Sequence, residues 1–370
     1  MKLKHFIKIL CVVVTLLFLT PFTIWVFQKS LLLNIVVINK TVPQNDYREH
    51  LGLFWILHHR KIVNAENHKL YDIKEDYYGY NPEELTGEKK LIIPDDIDLI
   101  YVADTYGVYE EDFRGNIRGE RSEKLYGGLT FYEWNRIMHA KTLDNTLVVE
   151  FNTIQSPTDI SVRRIVEQNL SIKWTGWIGR YFSNMQSEEV PIWLIENYEE
   201  QTKKDWSFKG EGIAFVHESD KVVVLDKKDI NGAIQFKWTK EGKEHYEVNS
   251  NSTYTYWFDM VIPQDEMTVE AQFEIPLTNS GVKTLNAHQI QSKFPAILRN
   301  PEENMYYFAG DYADVRHHYF SKWVLPKSFY RLMAILNKGD RFFWDVYIPV
   351  MTQIFEDSYK TRSISNEKIF

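Results

Sequence analysis

Leu99 to Gly107 reads LIYVADTYG: five apolar residues, then a polar turn that carries a carboxylate and a glycine. A short, uninterrupted apolar run closed by turn residues is the pattern of a strand covered on both faces, and parallel sheets sandwiched by helices are built from such strands. Working outward, Thr146 to Phe151 (TLVVEF) repeats the pattern. Between the two runs, Thr130 and Glu133 form a T-x-x-E capping box, and Phe131, Trp134, Ile137 and Met138 give one apolar face, which predicts a helix over 130–141. Upstream, Leu31 to Val42 (LLLNIVVINKTV) predicts one buried strand, and Leu51, Phe54, Trp55, Leu57 and Ile62 predict a helix over 47–63. A further helix is expected over 159–169. Strand and helix in alternation predict an α/β fold with a mostly parallel sheet covered on both faces, a three-layer arrangement.

Past Pro191 the character changes. Residues 192–203 look helical, and 212–216 with 221–225 look like a hairpin. From Ala233 to Leu277 alternation dominates, as in Gln235, Phe236, Lys237, Trp238. That period of two predicts antiparallel strands and counts against a (β/α)-barrel. Met305 to Ala309 is a last strand, and two aromatic-rich helices are expected over 328–336 and 342–355 before a polar, loose tail. Residues 31–230 are thus expected to form the α/β domain, 231–325 a β-rich extension completing the sheet, and 326–370 the C-terminal helices and tail.

The first residues set the location. Lys2, Lys4 and Lys8 precede a charge-free run from Ile9 to Phe27, close to the ~20 apolar residues that cross a ~30 Å hydrocarbon layer. Its polar members (Cys11, Thr15, Thr20, Thr23) are short, and Pro21 is tolerated within a bilayer. A cleaved signal peptide would have a shorter apolar core followed by small residues, whereas this run ends in Trp25, Val26, Phe27, Gln28, Lys29. An uncleaved anchor over 9–28 is therefore expected, with residues 1–8 cytoplasmic by the positive-inside tendency and the bulk of the chain extracytoplasmic at the cell membrane.

Composition narrows the function. The only cysteine is Cys11, so the part beyond the run holds no disulfide, cysteine–zinc site or thiol nucleophile. A net charge of −8 argues against nucleic acid, whose binders cluster Lys and Arg. No Walker, dinucleotide-binding, H-E-x-x-H or G-x-S-x-G pattern occurs, and no cofactor is expected.

The opening strand NIVVINKTV (34–42), LIYVADTYG (99–107), the YGGLT turn (126–130) and TLVVEFNT (146–153) together resemble the class I glutamine amidotransferase-like family, with its flavodoxin-like three-layer fold. The resemblance covers about half the chain and makes GIAFVHESDKVVVL (212–225) and YYFAGDYAD (306–314) its late strands. Amidotransferase members use a cysteine on a strand–helix elbow. This chain has none there, so glutaminase chemistry is excluded on that resemblance.

In open parallel sheets ligands sit beyond the carboxyl ends of the strands. Three polar clusters fall at such ends: Asp104 to Gly107 with Tyr106; Glu150, Asn152, Thr153 and Ser156 to Thr158; and Gly310, Asp311, Asp314 before His317 and His318. Asp104, Glu150 and Asp311 are the candidate catalytic carboxylates, as acid/base groups on a glycoside or as ligands for sugar hydroxyls. The bland alternatives are that Asp104 and Asp311 cap turns and that a partner such as Arg180 makes Glu150 structural. Lys173 to Phe182 (KWTGWIGRYF) is the most unusual segment. Trp174, Trp177 and Tyr181 offer flat faces, Arg180 a cation, and Tyr106 and Asn152 complete a candidate substrate-binding set; the alternative is an aromatic-rich core turn. Glu133 is explained by its cap. His58 and His59 are expected to be solvated, and adjacent His317 and His318 point apart, so no metal site is expected. These features lead to an expected membrane-anchored protein that acts on or binds a cell-envelope or exported polysaccharide. The alternative is a non-catalytic partner in an envelope glycan assembly, its C-terminal helices docked on membrane or partner. Covered, paired carboxylates would favour the second.

Overall fold

The computed structural model describes residues 2–83, 87–114 and 118–367. The runs that sequence marks as buried strands are buried at every residue: Ile35–Asn39, Leu99–Asp104 and Thr146–Glu150. They lie side by side in a ten-stranded sheet, flanked by Met305–Phe308 on one side and Tyr78–Asn81 on the other. These five strands are parallel. Beyond Met305–Phe308, the strands Lys293–Asn300, Thr268–Glu274, Ile234–Trp238 and Ser252–Tyr254 continue the same sheet antiparallel. Gly87–Lys89 closes the other edge, also antiparallel. The large sheet is therefore mixed, parallel in one half and antiparallel in the other, rather than mostly parallel.

A second sheet of four antiparallel strands, ordered Val222–Leu225, Gly212–His217, Ile172–Phe182, Trp257–Pro263, holds the hairpin that sequence assigns to the main sheet. Strands from both sides of residue 230 thus share it, and one hydrophobic core runs from Leu33 to Phe355. The aromatic segment Lys173 to Phe182, whose alternative reading is a core turn, lies within a continuous eleven-residue strand, Ile172–Phe182. A bulge between Trp174 and Ile178 accommodates Gly176, whose φ of 87° lies in the left-handed region. A Cβ at Gly176 would come within 2.6 Å of His217 Nε2. Gly176→Ala is therefore expected to destabilise the protein by about 1–3 kcal/mol, from backbone strain and displacement of that imidazole, read as a lowered thermal midpoint.

Two other expectations change at the edges. Leu31 to Val42 is two strands: Leu31–Leu32 pairs with Ile62–Val63, while Ile35–Asn39 joins the large sheet. Asn34 divides them, its side chain donating to Asp96 and accepting from the Ala65 amide. His58 and His59 are not solvated. His59 is buried against Tyr330 Oη at 2.6 Å and stacks on Trp55, and burial lowers its pKa to about 4. The last helix, Ile348–Glu367, begins after a π turn at Phe343–Tyr347 and runs twelve residues past the expected end at Phe355. It packs on the helix Arg48–His59, so part of the expected loose tail is ordered.

The N-terminal helix Lys2–Phe27 has a window of mean hydropathy 2.5 and is long and apolar enough to cross a membrane; a signal sequence would meet the same description. Its end is fastened to the domain. Trp25 is buried and donates through Nε1 to the His58 carbonyl at 2.9 Å, and Lys61 Nζ donates to the Val26 and Gln28 carbonyls.

Candidate functional site

Asp104 ends the Leu99–Asp104 strand and organises the turn beyond it. Its Oδ1 accepts from Thr41 Oγ1 at 2.7 Å and from the Tyr106 amide at 2.6 Å, and its Oδ2 from Asn152 Nδ2 at 3.1 Å. Those bonds favour the charged carboxylate, but burial outweighs them and pushes its pKa up to about 6. Asp104 thus ties together the loops after three neighbouring parallel strands, and Thr105 Oγ1 adds a bond to the Asn152 carbonyl. Asn152 itself sits at φ 67°, a conformation asparagine tolerates better than most residues. Beside this bracket, Lys40 is buried and ion-paired to Glu133 at 2.8 Å while donating to the Gly128 carbonyl. Glu133 therefore has a second task beyond its capping box.

Over these strand ends opens a cleft of about 620 Å³. Tyr106 and Tyr109 form one wall, their ring centroids 4.8 Å apart. Asn152 and Gln155 rise from the floor. Trp174, Trp193 and His217 stand opposite, on the small sheet and the helix Ile192–Thr202. Arg163 lies over the Trp174 ring at 5.0 Å and is held by Glu218 at 2.7 Å. Trp193 stacks on Trp257. His217 Nδ1 lies 3.2 Å from the Ser219 amide N–H, which can only donate, so Nδ1 accepts and the neutral ring carries its proton on Nε2. This is a concave, partly aromatic pocket with an asparagine amide in its lining, the usual form of a small-ligand site.

Of the residues singled out from sequence, Tyr106, Asn152 and Trp174 line the cleft, and Asp104 holds the first two from beneath. Trp177, Arg180 and Tyr181 do not line it. Trp177 is buried with its ring edge-on to His217; Tyr181 donates to Glu211; Arg180 pairs with Glu189 at 2.9 Å and lies over Phe182 and Trp257. Glu150 is fully buried. Its Oε1 accepts from Tyr101 Oη, and its Oε2 from the amides of Tyr312 and Ala313, both at 3.3 Å. Burial drives its carboxyl well above the ordinary range. A general acid or base must reach its proton in a bound substrate, and a covered Glu150 has no such reach. Asp311 is half-buried, held high by burial and then by the charges of Asp314, Asp104 and Glu150. Asp314 pairs with Arg48 at 3.0 Å, and Glu189 bridges Arg180 and Arg316. Asp104 and Glu150 are thus covered, whereas Asp311 is only half-buried, and none of the three lines the cleft. His317 pairs with Asp340 at 2.7 Å rather than with Asp311 or Asp314. Among the described residues no three His, Cys, Asp or Glu converge as metal ligands.

Sequence reasoning missed Tyr109, Gln155, Trp193 and His217. Gln155 and Tyr109 had a signal, each three residues beyond a residue already singled out, Asn152 and Tyr106. Trp193 and His217 come from the helix Ile192–Thr202 and the small sheet, far along the chain from those loops.

No protein-family model matches the chain, and no curated protein matches it. Among solved structures, a protein described as ThuA-like from Bacteroides uniformis ATCC 8492 overlaps 75% of this chain and 82% of its own, at 8% identity and a TM-score of 0.35. The likeness is distant. That neighbour has a glutamine amidotransferase-like fold, and a similarity this slight transfers no activity.

Proposed function

We propose that this chain is a membrane-anchored, extracytoplasmic protein that binds a cell-envelope or exported glycan in the cleft over Asn152 without hydrolysing it. The observation that carries the reading is the cleft wall itself: Tyr106, Tyr109 and Trp193 offer aromatic surface beside the Asn152 amide. Flat apolar rings suit the C–H faces of a sugar, and amides both donate to and accept from its hydroxyls. Covered Asp104 and Glu150 favour binding over two-carboxylate hydrolysis, which needs both groups at the scissile bond. The chain is therefore proposed as a non-catalytic partner of an envelope glycan assembly rather than as a glycosidase. The apolar run Ile9–Phe27 behind three lysines supports the anchored topology, with residues 1–8 inside.

The test uses the full chain in lipid nanodiscs against a panel of envelope and exported polysaccharides, following binding by tryptophan fluorescence and new reducing ends in the same samples. Binding without reducing ends is expected. Trp193→Ala is expected to weaken it about tenfold, ~1.4 kcal/mol, with folding checked by thermal unfolding. Absence of binding across the panel, or binding indifferent to Trp193→Ala in a folded variant, would overturn the reading. Release of reducing ends would restore the hydrolase.

A further inference from the structure

Resting on the reading of the N-terminal helix as a span, we infer that the segment Phe320–Leu336 is a second membrane contact, inserted into the outer interface beside the anchor. The charge-free run Ile9–Phe27 extends about 28 Å as a helix, so it fills a ~30 Å hydrocarbon layer and places its boundary near Phe27. Pro21 then lies roughly 9 Å inside that boundary. Yet residues from the far end of the chain touch the helix at this level. The Val324 amide donates to the Pro21 carbonyl at 3.1 Å, and the Phe320 ring lies 6.5 Å from that of Phe22. Lys322 Nζ sits 5.8 Å over the Trp25 ring, where a cation beside an interfacial tryptophan meets headgroups. A segment bonded to the span at that depth is itself carried into the lipid.

The adjoining helix Lys327–Leu336 has the matching surface. Tyr330 and Ala334 face the domain, Tyr330 through its bond to His59. Leu332, Ile335 and Leu336, spaced i, i+3, i+4, share the opposite side and are 47, 63 and 68% exposed; Phe320 is 60% exposed. Arg331 is exposed beside that stripe. Apolar residues on the outer side with basic neighbours are the signature of a helix lying in a bilayer interface, the cations meeting anionic headgroups. Continuity with the span selects lipid as the occupant. A two-point attachment of this kind would hold the domain at a fixed tilt instead of letting it swing on the anchor.

The experiment is site-directed nitroxide labelling of the full chain in nanodiscs containing anionic lipid. Cys11→Ser removes the single native cysteine, and one cysteine is then introduced, as Leu16→Cys or Ile335→Cys. Collisions with dissolved oxygen, which concentrates in lipid, are compared with those of a water-soluble nickel complex. Both labels are expected to collide more with oxygen than with nickel. An Ile335 label that favours nickel while the Leu16 label favours oxygen would overturn the second contact and leave the span standing. An Ile335 label shielded from both reagents would overturn it in favour of a second copy covering the helix. Failure of the Leu16 label to find oxygen would overturn the span, and the inference with it.

Discussion

Glu150→Ala is expected to lower the unfolding free energy by about 3–5 kcal/mol, while Glu150→Gln lowers it by about 1 kcal/mol or less. The difference lies in the groups that the carboxyl holds. It accepts from Tyr101 on the neighbouring strand and from two backbone amides that come some 160 residues later, at Tyr312 and Ala313. Truncation leaves a cavity and strips those buried donors of their acceptor, and each orphaned group carries its full desolvation penalty. Glutamine can refill the position. Its Oε1 takes the two amides, and its Nε2 turns to Tyr101 Oη, which accepts and redirects its own proton to Tyr347 Oη at 2.8 Å. Chemical denaturation of the three proteins, followed by tryptophan fluorescence, reads both numbers. An alanine variant of native stability that had lost only glycan binding would return Glu150 to the functional site and sink the structural assignment.

That residue also shows how far the sequence could be read. A carboxylate within TLVVEF could only be costly if buried unpaired, so a partner was required, and Arg180 was a reasonable candidate. The real partners are a tyrosine hydroxyl and backbone amides, and neither registers in composition or spacing. The Leu99, Thr146 and Ile35 strands were legible because full burial on both faces leaves an unbroken apolar run. Alternation likewise marked the antiparallel half of the sheet. Ile172–Phe182 was not legible as a strand, since its two glycines interrupt the alternation of side chains; one sits in a bulge, and Gly179 leaves room for the Phe258 ring, with a Cβ there only 2.5 Å from its Cζ. The same limit explains the site. Tyr106 and Asn152 follow from the strand-end rule. His217 reaches the cleft because Gly212–His217 pairs with Ile172–Phe182 and sets it opposite Trp177, while Trp193 stacks on Trp257 of the late strand Trp257–Pro263 on the other edge.

Asp259 on that late strand contributes to the pH response of the fold. It is fully buried, accepts from Tyr307 Oη and Gln155 Nε2 through one oxygen, and its other oxygen has no partner. Burial pushes its pKa up to about 7, from 3.8 in an exposed chain. Between those values the folded protein holds a proton that the unfolded chain has released, so stability falls as pH rises through the window, by up to ~1.4 kcal/mol per unit and about 4 kcal/mol in all. Asp259→Asn keeps an oxygen for Tyr307 and Gln155 and replaces the unpartnered one with a neutral amide. The variant is expected to be about 2–4 kcal/mol more stable than the natural protein at pH 8, and the gap should close toward pH 4, where the unfolded chain takes up the proton as well. Denaturation midpoints measured from pH 4 to 8 decide it. Parallel curves for the two proteins would place the titrating proton elsewhere. A confirmed gap would also tie the cleft to pH, because the Gln155 side chain bonded to Asp259 is one of its lining groups.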